Sequence, residues 1–291
     1  MFGILNVYKP RGLSSRAVVN RIQRIVRPAK VGHAGTLDPL AEGVLVVCVG
    51  AATRLVSYMQ ETRKEYRGQF QLGVRSNTED IEGTVEPVAN AREPSSGELS
   101  AAARAFVGEI QQRPPAFSAL KVRGRRAYDL ARRGEIVDLE PRQVSVHRCE
   151  LVNYSPPHFT LEVECGSGTY IRSLGRDIGE AVGSGAVMTG LIRTAVGSCR
   201  VERAIPLDDI EHSSVDHYLL PAALAVANLP KITLSAAEIV ELRHGRFIAD
   251  RFTFDEPEAA ACTETGEFVA IVKRRASQIA AVKNFANPAT T

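Results

Sequence analysis

Tryptophan is absent from the 291 residues, and cysteine is confined to Cys48, Cys149, Cys165, Cys199 and Cys262. An odd count with no C-x-x-C pair argues against a disulfide framework and against a zinc site, so reduced thiols are expected. No window reaches the roughly 18 apolar residues of a membrane span, and residues 1–11 lack a basic segment followed by a long apolar one. A cytoplasmic protein without membrane contact is therefore expected. There is no dinucleotide fingerprint, no P-loop and no His or Cys cluster, which leaves redox, phosphoryl-transfer and zinc-hydrolase chemistry without a starting residue. Net charge is scarce too, since 36 Lys and Arg against 33 Asp and Glu leave only +3.

Where the charge lies says more than its sum. Residues 111–133 hold Arg113, Lys121, Arg123, Arg125, Arg126, Arg132 and Arg133 against one acid, Asp129. Such a local excess attracts a phosphate backbone, although a solvated helix face has the same composition. The 44% hydrophobic content supports a substantial core, and its pattern marks the elements. Residues 4–8 read as a strand, and Ser14-Ser15 can cap a helix through Val18, Ile22, Ile25 and Val26. Residues 43–50 form an apolar run bounded by glycines, as in a strand buried on both faces. Residues 66–72 alternate, with Tyr66 at the strand start; residues 89–99 read as a surface connection before a helix over 101–107. The alternation of 159–165 ends at Gly166-Ser167-Gly168, before a helix striped by Ile171, Leu174, Ile178 and Val182. Arg172 lies off that stripe, facing either a cleft or solvent.

Past Asn228-Leu229-Pro230, Ser235 and Glu238 make a capping box with Gly245 as a stop. Residues 262–272 then read as a hairpin around Thr265-Gly266, and disorder is expected at the end of the chain.

Asp38 is the acid that most needs explaining. Pro39 bars it from helix, so its carboxylate is expected on a rigid turn directly before the buried strand. An ordinary Asp-Pro turn would look the same in isolation. The surrounding pattern, Gly32-His33-Ala34-Gly35-Thr36-Leu37-Asp38-Pro39-Leu40-Ala41-x-Gly43, resembles the catalytic loop of the TruB family of tRNA pseudouridine synthases, which isomerise the T-loop uridine. The likeness continues, in the family's order, in Lys9-Pro10-Arg11-Gly12 and in Lys64-Glu65-Tyr66. It extends to residues 113–121 with Arg126-Ala127-Tyr128, and to residues 168–174.

The resemblance implies an α+β fold: a mixed, largely antiparallel bent sheet flanked by helices, followed by a small β-rich, PUA-like RNA-binding domain. Residues 1–228 would form the catalytic domain, with a basic thumb near 113–142, and residues 229–291 the second domain. It implies isomerisation of uridine 55 by base flipping, with no cofactor and no metal. Asp38 would be nucleophile or base, paired with Arg172, and Tyr66 would stack on the base, although parity with Phe70 and Leu72 also fits a core aromatic. Tyr170 and Leu191 would line the same pocket, His33 would displace stacked T-loop bases, and Asp80 would orient Arg172. Lys9 and Arg54 would contact phosphates; Arg54 stands where relatives commonly carry Lys, and residues 191–197 are less basic than usual although Arg193 is kept. The partner would be the T arm and elbow of tRNA, bound by a monomer without a protein partner. Two other readings remain at this level: an RNA-folding chaperone whose catalysis is secondary, and a guide-dependent synthase.

Overall fold

The computed structural model describes residues 1–118, 120–122, 124–131, 133–135 and 139–285. Arg123 and Arg132 of the basic stretch, and the chain end where disorder is expected, lie outside the described residues. β1 (Gly3–Lys9) leads to α1 (Ser15–Ile25), where the side chain of N-cap Ser14 accepts a hydrogen bond from the Ala17 amide at 3.1 Å. This satisfies one orphan donor of the helix start, and Val18 and Ile22 lie fully buried on its inward face. β2 (Val31–His33) and β3 (Ala41–Val49) bracket the loop that carries Asp38. Every residue of β3 except Glu42 is buried, as a strand covered on both faces requires.

After α2 (Val56–Gln60), β4 (Lys64–Leu72) turns Gly68, Phe70 and Leu72 inward and Arg67 and Gln69 outward. Tyr66 is thus the third residue of its strand, because the buried Lys64 already belongs to it. β5 (Val74–Ser76) pairs with β6 (Val85–Pro87) around the loop of residues 77–84. α3 (Ser96–Ala105) begins five residues earlier than its apolar pattern suggests. Its polar start is a capping box: the Glu98 amide donates to Ser95 Oγ at 3.2 Å, and the Ser95 amide donates to the Glu98 carboxylate at 2.8 Å.

β7 (Gly108–Gln112) precedes the basic segment, in which β8 (Lys121–Val122) pairs with β9 (Arg125–Arg126) ahead of α4 (Ala127–Ala131). β10 (Arg142–Ser155), β11 (His158–Cys165), α5 (Ile171–Ala181) and β12 (Ala186–Val196) follow, then the short β13 (Cys199–Arg200) and β14 (Ile205–Pro206). Among the described residues, ten strands form one sheet with the path β14-β1-β3-β12-β4-β11-β10-β7, while β2 joins β3 and β13 joins β12. The β1–β14 and β3–β12 pairs are parallel and the remainder antiparallel. Register shifts in β10 and β12 mark bulges, which bend a strand. α5 lies over this sheet, burying Ile171, Leu174 and Ile178 against Phe70, whose ring stacks on Phe159 at 5.0 Å.

A second sheet, ordered β15-β17-β18-β19-β16, comprises β15 (Lys231–Thr233), β16 (Ile248–Ala249), β17 (Ala259–Cys262), β18 (Phe268–Arg275) and β19 (Gln278–Asn284). α6 (Ala236–Arg243) packs beside it with the expected Ser235–Glu238 box. The β17–β18 hairpin turns at residues 263–267, where Gly266 has φ +85°. The two sheets share apolar core: Ile4, Leu55 and Met59 of the first region pack in one buried cluster with Ala260, Phe268 and Ile271 of the second. All five cysteines are free and buried. Among the described residues no helix is long and apolar enough to cross a membrane.

Candidate active site

The loop before β3 is held by groups far apart in the chain. Ser15 Oγ accepts from the Leu37 amide at 2.8 Å and donates to the Leu37 carbonyl at 3.0 Å, while the Gly12 amide donates to the Pro39 carbonyl at 2.7 Å. From β12, the buried Arg193 donates to the carbonyls of Val44 at 2.7 Å and Gly35 at 3.2 Å. β3 and β12 come so close that a Cβ on Gly43, at φ +98°, would stand 2.4 Å from the Arg193 carbonyl oxygen. Only glycine fits there. Asp38 therefore sits on a fastened loop, with 38% of its side chain exposed.

Arg172, the second residue of α5, meets Asp38 with Nε 3.0 Å from Oδ2. Its Nη1 lies 3.3 Å from Asp80 Oδ2 and donates to the Thr78 carbonyl at 2.7 Å, and its Nη2 donates to the Phe117 carbonyl at 3.0 Å. Its side chain, only 6% exposed, faces a cleft rather than bulk solvent, and its charge is matched on every edge. Asp80 is equally buried, and its Oδ1 accepts from Thr78 Oγ1 at 2.6 Å and from the Glu82 amide at 3.0 Å. Asp80, Arg172 and Asp38 form a chain in which only the last carboxylate reaches open space.

That space is a cavity of about 430 Å³ lined by Asp38, Tyr66, Tyr170, Arg172 and Leu191, with Lys64 and Arg193 on its wall. Tyr66 is half-buried; burial pushes its phenol up, while Arg193, which shares a hydrogen bond with it, pulls the other way. Tyr170 is the N-cap of α5, and Gln112 clips its backbone: Oε1 accepts from the Tyr170 amide at 2.8 Å and Nε2 donates to its carbonyl at 3.0 Å. Burial pushes the Tyr170 phenol up as well. Leu191 stands in register with Ala41 of β3 and Gly68 of β4, where the three strands meet. Lys64 donates to the Gln60 carbonyl, and burial draws its ammonium down to about 8, with the nearby Arg193 charge acting in the same direction.

Three residues expected to touch the RNA elsewhere do not line this cavity. Lys9 has no exposed surface; its ammonium donates to the carbonyls of Pro10 at 3.0 Å and Leu13 at 2.6 Å, and burial draws it down to about 8. It braces the backbone beside Gly12 instead of presenting charge to a phosphate. His33 lies in β2, paired in register with Val47 and outside the cavity lining; burial lowers its imidazole pKa. Arg54 is exposed but engaged elsewhere: Nη1 donates to the Asn284 carbonyl at 2.8 Å and the guanidinium lies 4.8 Å from the Phe285 ring centroid. It links the main sheet to the second one. Of the basic stretch, Arg113, Arg125 and Arg133 are exposed.

Sequence reasoning assigned no part in the site to Ser15 and Gln112, which act on backbone groups, nor to Lys64. Ser15 carries no separate signal, because a serine pair before a helix reads as a cap, and it is Ser14 that caps. Among the described residues no cluster of His, Cys, Asp and Glu is gathered to hold a metal ion.

Comparison with known proteins gives a consistent result. The model for the TruB family pseudouridylate synthase N-terminal domain matches residues 23–171, and that for the tRNA pseudouridylate synthase B C-terminal domain matches residues 172–227. The division falls between Ile171 and Arg172, inside the unit β11-α5-β12, so the two matched segments build one sheet. A tRNA pseudouridine synthase B from Clostridium tetani (strain Massachusetts / E88) is 38% identical over 259 residues, 89% of this chain and 90% of the relative. One from Moorella thermoacetica (strain ATCC 39073 / JCM 9320) is 41% identical over 84% of this chain and 83% of its own length. Among solved structures, an H/ACA RNP bound to a substrate RNA containing 2'-deoxyuridine matches with a TM-score of 0.76 at 26% identity, over 99% of this chain and 86% of the other. A Cbf5-Nop10-Gar1 complex matches with a TM-score of 0.75 at 28% identity, over 98% and 85%.

Proposed function

Because the chain belongs to the TruB family of tRNA pseudouridine synthases, we propose that it isomerises uridine to pseudouridine at position 55, in the T loop of tRNA. The observation that supports this most directly is the Asp38–Arg172 pair: one half-exposed carboxylate, held at 3.0 Å by a buried arginine, at the wall of a cavity of nucleoside size. The reaction breaks the bond from C1′ to N1, turns the freed uracil and joins C5 to C1′. A proton leaves C5 and one is gained at N1. No electron is transferred and no group is carried, so the chemistry needs a placed carboxylate, a closed pocket and no cofactor.

Asp38 is the catalytic residue, attacking C1′ or removing a ribose proton to give a glycal; both routes start from its ionised form. Arg172 fixes its direction. Tyr66 stacks on the flipped uracil and Tyr170 and Leu191 enclose it, while His33 displaces the bases that stack in the T loop. Base–aromatic stacking, about 1–3 kcal/mol, is comparable to the few kcal/mol that flipping a nucleotide costs. Buried Lys64 and Arg193 put positive charge on the cavity wall that draws in the RNA backbone, while the charge of Arg172 is taken up by Asp38 and Asp80. The basic thumb near 113–142 and a PUA-like unit over 229–291 extend the grip to the T arm and elbow. The enzyme works as a monomer in the cytoplasm, with tRNA as its partner.

The test is incubation of the purified protein with unmodified tRNA, without guide RNA, followed by mapping of pseudouridine. Product at the T-loop uridine, lost in Asp38→Asn while tRNA is still retained, is the expected result. Product that forms only when a guide RNA is added, or at another position, would overturn the reading.

A further inference from the structure

We infer that Glu79 is a positioning residue for Asp38, acting through Arg172; the inference rests on the catalytic reading above. Glu79 lies between Thr78 and Asp80, the two residues of its loop that hold Arg172, and its φ is +64°. A non-glycine residue is rarely found in this left-handed region, and it persists there only when its surroundings over-determine it. Here they do. The Glu79 carbonyl accepts from the Met188 amide at 3.0 Å, and the next amide but one, Ile81, donates to the Met188 carbonyl at 3.0 Å, which stitches the loop to β12. The Glu79 side chain, 12% exposed, reaches α5: Oε2 accepts from Ser173 Oγ at 2.6 Å and Oε1 pairs with Arg176 Nη1.

The left-handed turn is what allows three consecutive residues to serve one helix. Thr78 and Asp80 point their acceptors at Arg172, while Glu79 grips Ser173 and Arg176, which follow Arg172 within about one turn of α5. Arg176 also donates through Nη2 to the Arg113 carbonyl at 3.2 Å, so the same contact secures the root of the basic segment. Without the Glu79 carboxylate the loop keeps its backbone bonds to β12 but loses its tie to Ser173 and Arg176 of α5. The helix then shifts against the loop, drawing Arg172 away from the Thr78 carbonyl and Asp80, and Asp38 loses its fixed direction.

The experiment measures single-turnover isomerisation of unmodified tRNA at saturating enzyme, together with tRNA affinity, for the parent, Glu79→Ala, Glu79→Gly and Glu79→Gln. Misplacement by about 1 Å costs on the order of 10²-fold in rate, so Ala is expected to slow the bound reaction by about 10- to 100-fold while affinity stays within several-fold. Gly adopts the left-handed backbone freely, which separates the tether from the turn itself. It is expected to stay slow, and Gln, which still accepts from Ser173, to recover part of the rate. In an Asp80→Asn background Glu79→Ala should add little, because both changes act through Arg172. A Gly variant at the parental rate, rate and affinity falling together, or full multiplication with Asp80→Asn would each overturn the role. An inactive parent would instead count against the functional reading itself.

Discussion

Gly175→Ala offers a direct test of whether helix placement sets the catalytic geometry. Gly175 is three residues past Arg172 on α5, and a Cβ at that position would stand 2.1 Å from Cε1 and 2.3 Å from Cδ1 of Phe70. Ordinary carbon contacts lie at about 3.5–4.0 Å, so roughly 1.5 Å of new space is needed. Phe70 cannot supply it easily, being fully buried and stacked on Phe159. Overpacking of this kind costs about 1–3 kcal/mol, and a chain of this size loses about 2–4 °C of melting temperature per kcal/mol. The activity loss should be larger than stability alone explains. A retreating α5 carries Arg172 from its 3.0 Å contact with Asp38, and a shift of about 1 Å in a catalytic constellation costs on the order of 10²-fold. Single-turnover rates and thermal melts of Gly175→Ala, with and without Phe70→Leu to reopen the space, provide the assay. Recovery of both quantities in the double variant is expected. A normal rate in Gly175→Ala despite a lowered melting temperature would refute the link between helix position and chemistry.

Four further outcomes are expected. Tyr66→Phe should bind tRNA and melt normally but turn over slowly if the hydroxyl assists proton removal from C5, whereas full activity would return Tyr66 to the core of the sheet. Replacing Arg125, Arg126, Arg132 and Arg133 together should make log affinity less dependent on log salt by about 0.7–0.9 per lost phosphate contact, measured by filter binding across a salt series. Lys64, drawn down to about 8 in the fold from an ordinary 10.5, binds fewer protons folded than unfolded between those values. Its burial penalty is therefore full below pH 8 and lifts as pH rises toward 10.5, so the denaturation midpoint of the parent relative to Lys64→Met should climb across that window. Arg54→Ala should lower the unfolding free energy by about 1 kcal/mol, read by denaturant titration, through its lost contacts with Asn284 and Phe285; a fall in tRNA affinity without any loss of stability would mark it as a phosphate contact after all.

Much of this architecture could be read from residue pattern. The double-sided burial of β3 and the stripe of α5 arise from local periodicity, and both elements lie where that periodicity puts them. Asp38, Tyr66, Tyr170, Arg172 and Leu191 were grouped by family resemblance, and they surround one cavity. What periodicity could not show is the direction of long polar side chains. The family resemblance puts Lys9 against a phosphate, yet its stem runs inward to backbone carbonyls. Arg172 lies off the apolar stripe and does face the cleft, but its grip by the loop of residues 77–84 and the Phe117 carbonyl has no local signal. Arg54 and Asn284 are 230 residues apart, a separation at which no local signal operates. The early start of α3 was missed for a different reason: its cap is written in the same small polar residues as a loop.

The apolar cluster common to both sheets has an evolutionary corollary. Ile4, Val44, Leu55 and Met59 are sealed in part by Ala260, Phe268 and Ile271. A gene cut after codon 228 would yield a main sheet with an oily scar, prone to stick to its own copies. Shedding the last sixty or so residues would thus demand compensating polar replacements on the face left behind. A lineage can trade loops at the rim of such a protein freely, but it inherits the two sheets as a single package.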